Sequence, residues 1–186
     1  MLRLHDTLDY RAREHGDVDF AVQGTRRIAY AEAVVQANRL ANALIEEGLE
    51  PGDRVAYLSK NSIEHALFYY ACSKAGVVPV PLNYRLAPPE WEFILNDAGA
   101  KLLVAQPEFA QSLEAVRGEL GCVKNFFAVN GDAPGWGAYD EFVASGSDRT
   151  PDREIFAEAD VYQMYTSGTT GRPKGAVIQH LSLIHI

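Results

Sequence analysis

The feature that most constrains how this chain can fold is an alternation of short apolar runs with helix-like segments in its middle. The runs predicted as strands are Arg54–Leu58, Gly76–Leu82, Lys101–Ala105 and Val123–Val129. The segments between them, at 62–75, 88–97 and 107–120, carry apolar residues at three- and four-residue spacing, which predicts helices. Strands that alternate with helices in this way favour a parallel sheet covered by those helices. We therefore expect an α/β fold, layered, with a mostly parallel sheet and flanking helices.

Further elements are predicted ahead of this alternation. Thr7 is a candidate N-cap for a helix that runs to about Glu14. Asp19–Gln23 and Arg26–Ala29 are strand-like runs separated by a short turn, which predicts a small hairpin. Tyr30–Glu47 has an apolar stripe at helical spacing and ends before a glycine, so we expect an amphipathic helix there.

Composition restricts the classes of function. The 186 residues are 47% hydrophobic and 23% charged, which is enough to bury a core of one domain. A net charge of −8 argues against nucleic acid or an anionic membrane as a partner and favours small molecules. No apolar run approaches the roughly eighteen residues that a spanning helix needs, so we expect no integral membrane segment and a cytoplasmic protein.

A segment near the C-terminus concentrates groups that bind phosphate. Between Thr166 and Gly175 the chain places several glycines among serine and threonine, so backbone N–H groups and hydroxyls can face one anion without obstruction. Arg172 and Lys174 add positive charge, and Pro173 between them restricts the backbone. The pattern indicates a cradle for phosphate.

The spacing in this segment rules out two common nucleotide motifs. The Walker pattern requires Gly-Lys-Ser/Thr after four intervening residues, whereas here Pro173 precedes Lys174 and Gly175 follows it. The glycine fingerprint of dinucleotide-binding folds is also absent. A flexible linker is the plain alternative, but linkers rarely carry Arg-Pro-Lys between apolar runs such as Val161–Tyr165 and Ala176–Ile178.

The segment Tyr165–Ala176 resembles, position by position, the signature loop of the adenylate-forming superfamily, which includes acyl-CoA synthetases, peptide-synthetase adenylation domains and luciferases. Ala75–Arg85 resembles a second motif of the same superfamily. For this second motif we expect a structural role, with Gly76 allowing close approach of helix and strand and with Asn83 and Arg85 fixing the following loop. The resemblance implies the partial N-terminal domain of an adenylate-forming enzyme, most like an acyl-CoA synthetase.

By resemblance, the loop binds the β- and γ-phosphates of ATP through Thr166, Ser167, Gly168, Thr169, Thr170, Gly171 and Lys174. The full-length parent is implied to activate a small carboxylic acid as an acyl-adenylate and then as acyl-CoA, using ATP, Mg²⁺ and coenzyme A. His180 falls where the superfamily usually has a histidine and is implied to lie beside the acyl pocket. The catalytic lysine of the superfamily has no counterpart in this stretch, so we assign no catalytic residue and no metal ligand.

The resemblance covers about the first third of such an enzyme, and we expect this stretch alone to be inactive. We predict an α/β subdomain over 1–144, a linker over 145–160 and the start of the next unit, with the phosphate loop, over 161–180. Residues 181–186 depart from the continuation expected after His180 and are predicted to be a non-native tail. The cradle itself we expect to be exposed and mobile.

The residues leave three interpretations open: a truncated acyl-CoA synthetase or relative, an unrelated nucleotide-binding α/β protein, and a non-catalytic α/β module that binds only an anion. The identity of the acid, the choice between coenzyme A and a carrier-protein thiol, and the oligomeric state are not predicted by the sequence.

Overall fold

The computed structural model describes residues 2–166 and 173–185, except for the side chains of residues 184 and 185. The helices are α1 Leu4–His15, α2 Tyr30–Glu46, α3 Ile63–Ala75, α4 Pro88–Ala98, α5 Pro107–Glu114, α6 Tyr139–Ser145 and α7 His180–His185. The strands are β1 Asp19–Gln23, β2 Arg26–Ala29, β3 Arg54–Leu58, β4 Val78–Pro81, β5 Leu102–Ala105, β6 Asn125–Ala128, β7 Gly137–Ala138, β8 Asp160–Thr166 and β9 Lys174–Gln179. None of the described helices is long and apolar enough to cross a membrane.

The central sheet has five strands in the order β4-β3-β5-β6-β7, and every pair in it is parallel. The predicted α/β fold with a mostly parallel sheet is therefore confirmed. Two of the four residues of β4 are prolines, Pro79 and Pro81, and β4 lies at the edge of this sheet. An edge position suits proline, because proline has no N–H to donate to a second neighbour.

Helices cover both faces of the sheet, so the central strands are buried on both sides. In β3, Val55 and Tyr57 belong to the core formed with α2, α3 and α6, whereas Ala56 and Leu58 belong to the core formed with α4 and α5. Successive side chains of a strand point to opposite faces, which is why a fully buried parallel strand is apolar at every position. The edge strand β4 of this three-layer arrangement packs against β8.

The N-terminal elements form a smaller core on α2 and α3. The hairpin β1–β2 is antiparallel, as predicted, and Leu8, Ile28 and Leu67 are buried together beneath it. The prediction that Thr7 caps α1 is wrong. The helix begins at Leu4, and the carboxylate of Asp6 accepts from the backbone N–H groups of Leu2 and Arg3, each at 3.0 Å. An acidic side chain in the first turn therefore takes the role expected of the cap.

Helix α5 is also shorter than predicted. It ends at Glu114, and a 3₁₀ turn at Arg117–Glu119 follows where a helix to Leu120 was expected. Gly118 lies in that turn, and glycine weakens a helix because it has the most backbone freedom to lose. Leu120 is nevertheless buried in the core, so the apolar spacing identified the right inward residue in the wrong conformation.

Residues 146–149 cross the outer surface of α2 and are held there by side-chain amides. Asn38 Nδ2 donates to the carbonyl of Asp148 at 2.9 Å, and Asn42 Nδ2 donates to the carbonyl of Ser147 at 2.7 Å. Gly146 is packed so closely that an added Cβ would lie 2.0 Å from the carbonyl oxygen of Arg39. We call residues 146–149 the strap; it lies within the segment predicted as a linker.

Candidate functional site

The strand order has a switch point between β3 and β5, where successive strands are added on opposite sides. Open α/β sheets commonly bind ligands outside the carboxyl ends of their strands at such a point. Here helix α3 follows β3, and the protein's own side chains satisfy the backbone N–H groups at its start. Gln23 Oε1 accepts from the backbone N–H of Ile63 at 3.2 Å, and Ser62 Oγ accepts from that of His65 at 3.1 Å. The start of α3 is thus capped from within.

The hairpin β8–β9 carries the segment that the sequence marks for phosphate. Thr166 ends β8, Lys174 begins β9, and the two residues are register partners across the antiparallel pair. Both are exposed. The structure thus brings two of the predicted phosphate-binding residues together at the base of the loop. The other predicted phosphate-binding residues lie outside the described part of the chain: Ser167, Gly168, Thr169, Thr170 and Gly171. The prediction that the loop is mobile concerns the same residues and is likewise not tested.

A chain of side-chain hydrogen bonds joins β8 to the rest of the domain. Arg54 Nε donates to Gln163 Oε1 at 3.0 Å, and Gln163 Nε2 donates to the hydroxyl of Tyr165 at 3.1 Å. The Tyr165 hydroxyl in turn donates to Asp97 Oδ2 at 2.5 Å. Burial, together with Asp97, raises the pKa of Tyr165, so that hydroxyl keeps its proton. Sequence analysis did not predict these hydrogen bonds, although the alternation of side chains along β8 places Gln163 and Tyr165 on one face.

Asp160, at the base of β8, takes part in the same network. Its carboxylate is half-buried and lies 3.4 Å from Arg54 NH2. Arg54 also donates to the carbonyl of Gly52 at 2.6 Å. The guanidinium therefore connects the start of β3 to the start of β8.

A cleft of about 340 Å³ adjoins the base of the loop and is lined by the exit of β4, by β8 and by Pro173. Asn83 lies in this lining, and its side-chain oxygen accepts from the backbone N–H of Arg85 at 3.0 Å. Its carbonyl accepts from the indole N–H of Trp91 at 2.9 Å. The expected role of Asn83 in fixing the following loop is confirmed.

Gly76 follows the last residue of α3 and has φ 73°, and a Cβ there would lie 2.6 Å from the side chain of Ile155.

His180 is buried against the N-terminus of α1. Its Nδ1 accepts from the backbone N–H of Leu4 at 3.1 Å, which places the ring proton on Nε2. Nε2 is buried without a partner among the described residues. Burial, and then the charge of Arg3, lower the pKa of this ring, so it is neutral at physiological pH. A neighbouring groove of about 410 Å³ is almost wholly apolar and is lined by residues that include Leu4, Tyr69 and Ile178.

Within the described residues, no three histidine, cysteine or acidic side chains converge as a metal site would require. The exposed ammonium of Lys174 is the described cation nearest in sequence to the loop. Cys72 is buried and Cys122 is half-buried, both as free thiols.

The profile of a family described as "AMP-binding enzyme" matches residues 8–186. A fatty acid–[acyl-carrier-protein] ligase of Streptomyces coeruleorubidus is 35% identical over 184 residues, which is 98% of this chain and 34% of that protein. A long-chain-fatty-acid–CoA ligase of Mycobacterium tuberculosis is 36% identical over 186 residues, covering 98% of this chain and 35% of the relative. An anthranilate CoA ligase solved with anthranoyl-AMP superposes with a TM-score of 0.91 at 26% identity, over 96% of this chain and 35% of that one.

The chain spans about a third of the length of the relatives that it matches. The match to the family nevertheless extends from α1 to α7 and includes the hairpin β8–β9. The chain belongs to the family of AMP-binding enzymes.

Proposed function

We propose that this chain is the N-terminal part of an ATP-dependent ligase that activates a carboxylic acid as its acyl-adenylate and then forms acyl-CoA. The observation that carries the proposal is the pairing of Thr166 with Lys174 at the base of the loop. The hydroxyl and the ammonium both donate hydrogen bonds, and both are exposed at the point where a polyphosphate would enter.

In the proposed first step, a carboxylate oxygen of the substrate bonds to the α-phosphorus of ATP and the bond to pyrophosphate breaks. Negative charge then accumulates on the departing pyrophosphate, so donors fixed around it stabilise the transition state. Lys174 and Thr166, with the loop residues between them, would supply those donors. The carboxylate is already ionised at neutral pH, so this step needs no general base.

The acyl chain is proposed to lie near His180, in or beside the apolar groove of α1, α3 and the β8–β9 hairpin. Apolar walls suit a hydrocarbon or aromatic acid, and a neutral histidine beside them avoids the cost of a buried charge. Mg²⁺, when bound, would neutralise part of the phosphate charge, and coenzyme A would supply the thiol that takes the acyl group. The proposal includes a cytoplasmic location, where ATP-dependent activation would draw on the nucleotide pool.

The division into 1–144, 145–160 and 161–180 remains a proposal, as does a non-native origin of 181–186. Resequencing the source DNA across codon 180 tests the non-native origin of residues 181–186. We expect a junction there, and uninterrupted native coding sequence on both sides would contradict the proposal. A non-catalytic anion-binding module is not favoured, since the relatives are named as ligases.

The decisive experiment uses the full-length parent protein. We expect pyrophosphate release from ATP that depends on an added carboxylic acid, followed by loss of the free thiol of coenzyme A. Chain 1–186 alone should release none, because it spans only about a third of the relatives. A parent that releases no pyrophosphate with any of a broad panel of fatty and aromatic acids would contradict the proposal.

A further inference from the structure

We propose that Tyr165 and Asp97 are positioning residues for Thr166 at the base of the phosphate loop, an inference that rests on the proposed function. Their hydrogen bond, at 2.5 Å, joins the end of β8 to the last turn of α4, 68 residues earlier in the chain. Tyr165 immediately precedes Thr166, at which the loop begins. The bond therefore fixes the strand at its last residue before the proposed ATP site.

The hydrogen bonds that end at Asp97 all run in one direction. The guanidinium of Arg54 donates to Gln163, the amide of Gln163 donates to Tyr165, and the hydroxyl of Tyr165 donates to the carboxylate. A cation thus stands at one end and an anion at the other, and each donor is polarised by the one before it. A chain of this kind prefers one arrangement of β8, because displacement of the strand breaks several links together.

Strand β9, which pairs with β8, leaves room for the side chains of Gln163 and Tyr165. Tyr165 is the register partner of Gly175 on β9. A Cβ at Gly175 would lie 2.8 Å from Gln163 Nε2, 2.9 Å from Tyr165 Cζ and 3.1 Å from its hydroxyl oxygen. The absence of a side chain at Gly175 is therefore what lets Gln163 and the tyrosine ring lie across the hairpin and reach Asp97. The glycine that the signature loop carries after its lysine thus has a packing role here.

Helix α4 is a firm anchor for the bond. Ile94 and Leu95, one turn before Asp97, are fully buried against the parallel sheet. When such an anchor holds the end of β8, Thr166 needs less ordering to donate to a phosphate, so ligand binding is less costly. Removal of the Tyr165 hydroxyl should therefore weaken ATP binding while the chemistry in the saturated complex is preserved.

The kinetic test uses the full-length parent. Tyr165→Phe removes the hydroxyl, and Asp97→Ala removes the acceptor at an exposed site in the last turn of α4, where a carboxylate does not stabilise the helix. We expect each variant to raise KM for ATP about tenfold, the effect of a lost hydrogen bond to a charged group. The values of kcat and of KM for the carboxylic acid should be unchanged. The double variant should be no worse than either single one, because both changes remove the same bond.

Tyr10→Phe, which removes a hydroxyl from the exposed surface of α1, is the matched control and should leave all constants unchanged. Equal KM for ATP in all variants would overturn the inference. A lower kcat together with higher KM values for both substrates and lower thermal stability would also overturn it, since that result indicates a merely structural role.

A second measurement does not depend on the proposed reaction. In chain 1–186, backbone amides of β8 near Thr166 should exchange hydrogen faster in Tyr165→Phe and in Asp97→Ala than in Tyr10→Phe. Unchanged exchange would overturn the anchoring itself. If exchange is faster in the variants but the full-length parent releases no pyrophosphate, the anchoring of β8 stands and the proposed ATP-dependent function is contradicted. A failure of the anchoring can thus be distinguished from a failure of the proposed function.

Discussion

At the scale of single residues, Lys174 is the described cation with the most direct part in the proposed reaction. It is exposed at the first position of β9, opposite Thr166. In the full-length parent we expect Lys174→Ala to lower kcat/KM for ATP by about 10- to 100-fold, the range for loss of a charge-assisted hydrogen bond to phosphate. The fold should remain intact, because the side chain is not packed.

The matched control for Lys174 is Lys124→Ala, a change at another exposed lysine that is expected to be silent. Pyrophosphate release that depends on the carboxylic acid, measured at several ATP concentrations, gives kcat and the KM for ATP. Release from Lys174→Ala at the rate of the unaltered parent would remove Lys174 from the mechanism.

Two histidines, the buried His5 and the half-buried His65, make the stability of the domain depend on pH. Burial lowers the pKa of His5 and of His65 from 6.5 to about 4. Between those values the unfolded chain binds protons that the folded chain does not. Stability is therefore complete above pH 6.5 and is lost as the pH falls toward 4, with a slope of at most about 1.4 kcal/mol per pH unit for each histidine.

His65 offers a direct test of this dependence. Its ring is stacked between Tyr57 and Tyr69, at centroid distances of 4.4 and 5.2 Å. His65→Phe keeps an aromatic ring in the stack and removes the titrating group, so urea unfolding measured from pH 7 to pH 4.5 should show a shallower loss of stability than in the unaltered chain. An unchanged slope would show that His65 is not one of the groups responsible.

At the scale of elements, the strap depends on the missing side chain of Gly146. A Cβ there would lie 2.0 Å from the carbonyl oxygen of Arg39 and 2.7 Å from the backbone nitrogen of Ala43, both on α2. Neither backbone atom can move without bending the helix. We expect Gly146→Ala to lower the free energy of unfolding by about 2–4 kcal/mol, at or above the usual cost of overpacking.

Gly118→Ala is the control for the strap, because an added Cβ at that position meets no atom within 4 Å. It should leave the free energy of unfolding nearly unchanged. Chemical denaturation of both variants checks the comparison, and similar midpoints would contradict the close packing of the strap.

Most of the sheet could be predicted from local patterns. The predicted strands of the central sheet all formed, because a parallel strand buried on both faces must be apolar throughout, as Leu102–Ala105 is. Strand β7 could not be predicted, since Gly137 and Ala138 carry no side-chain pattern and form a strand only because β6 lies beside them. The start of α1 was misplaced because its first turn is satisfied by Asp6 rather than by a residue in the capping position.

At the scale of the whole molecule, the candidate site was only partly visible in the sequence. The loop could be identified because its donors are consecutive. The residues that hold its base could not, because Asp97 and Tyr165 are 68 positions apart and Arg54 and Gln163 are 109 positions apart. Such pairs are brought together by the sheet order and by the packing of β8 against β4, which no local pattern encodes.

The isolated chain presents an apolar edge on its β8–β9 side. Val177 and Met164 are 44% and 36% exposed, and in the described residues β9 pairs only with β8. An unpaired edge with apolar side chains promotes association between chains. We expect chain 1–186 to self-associate with increasing concentration, and Val177→Lys on the edge strand to reduce this.

Light scattering coupled to size exclusion measures the association. Val35→Lys, at an exposed position of α2, is the control and should associate like the unaltered chain. A chain that stays monomeric at every concentration would contradict this prediction, as would equal effects of the two lysine substitutions.

The hydrogen bond between Leu4 and His180 has a consequence for the timing of biosynthesis. Its partners are 176 residues apart, so at about 5–20 residues per second the ribosome needs roughly 9–35 s after making the first to supply the second. The parallel sheet, complete by Ala138, can assemble well before then. The first turn of α1 is therefore among the last parts of this domain to be secured, and proteolysis of nascent chains of increasing length should show it protected only after residue 180 has emerged.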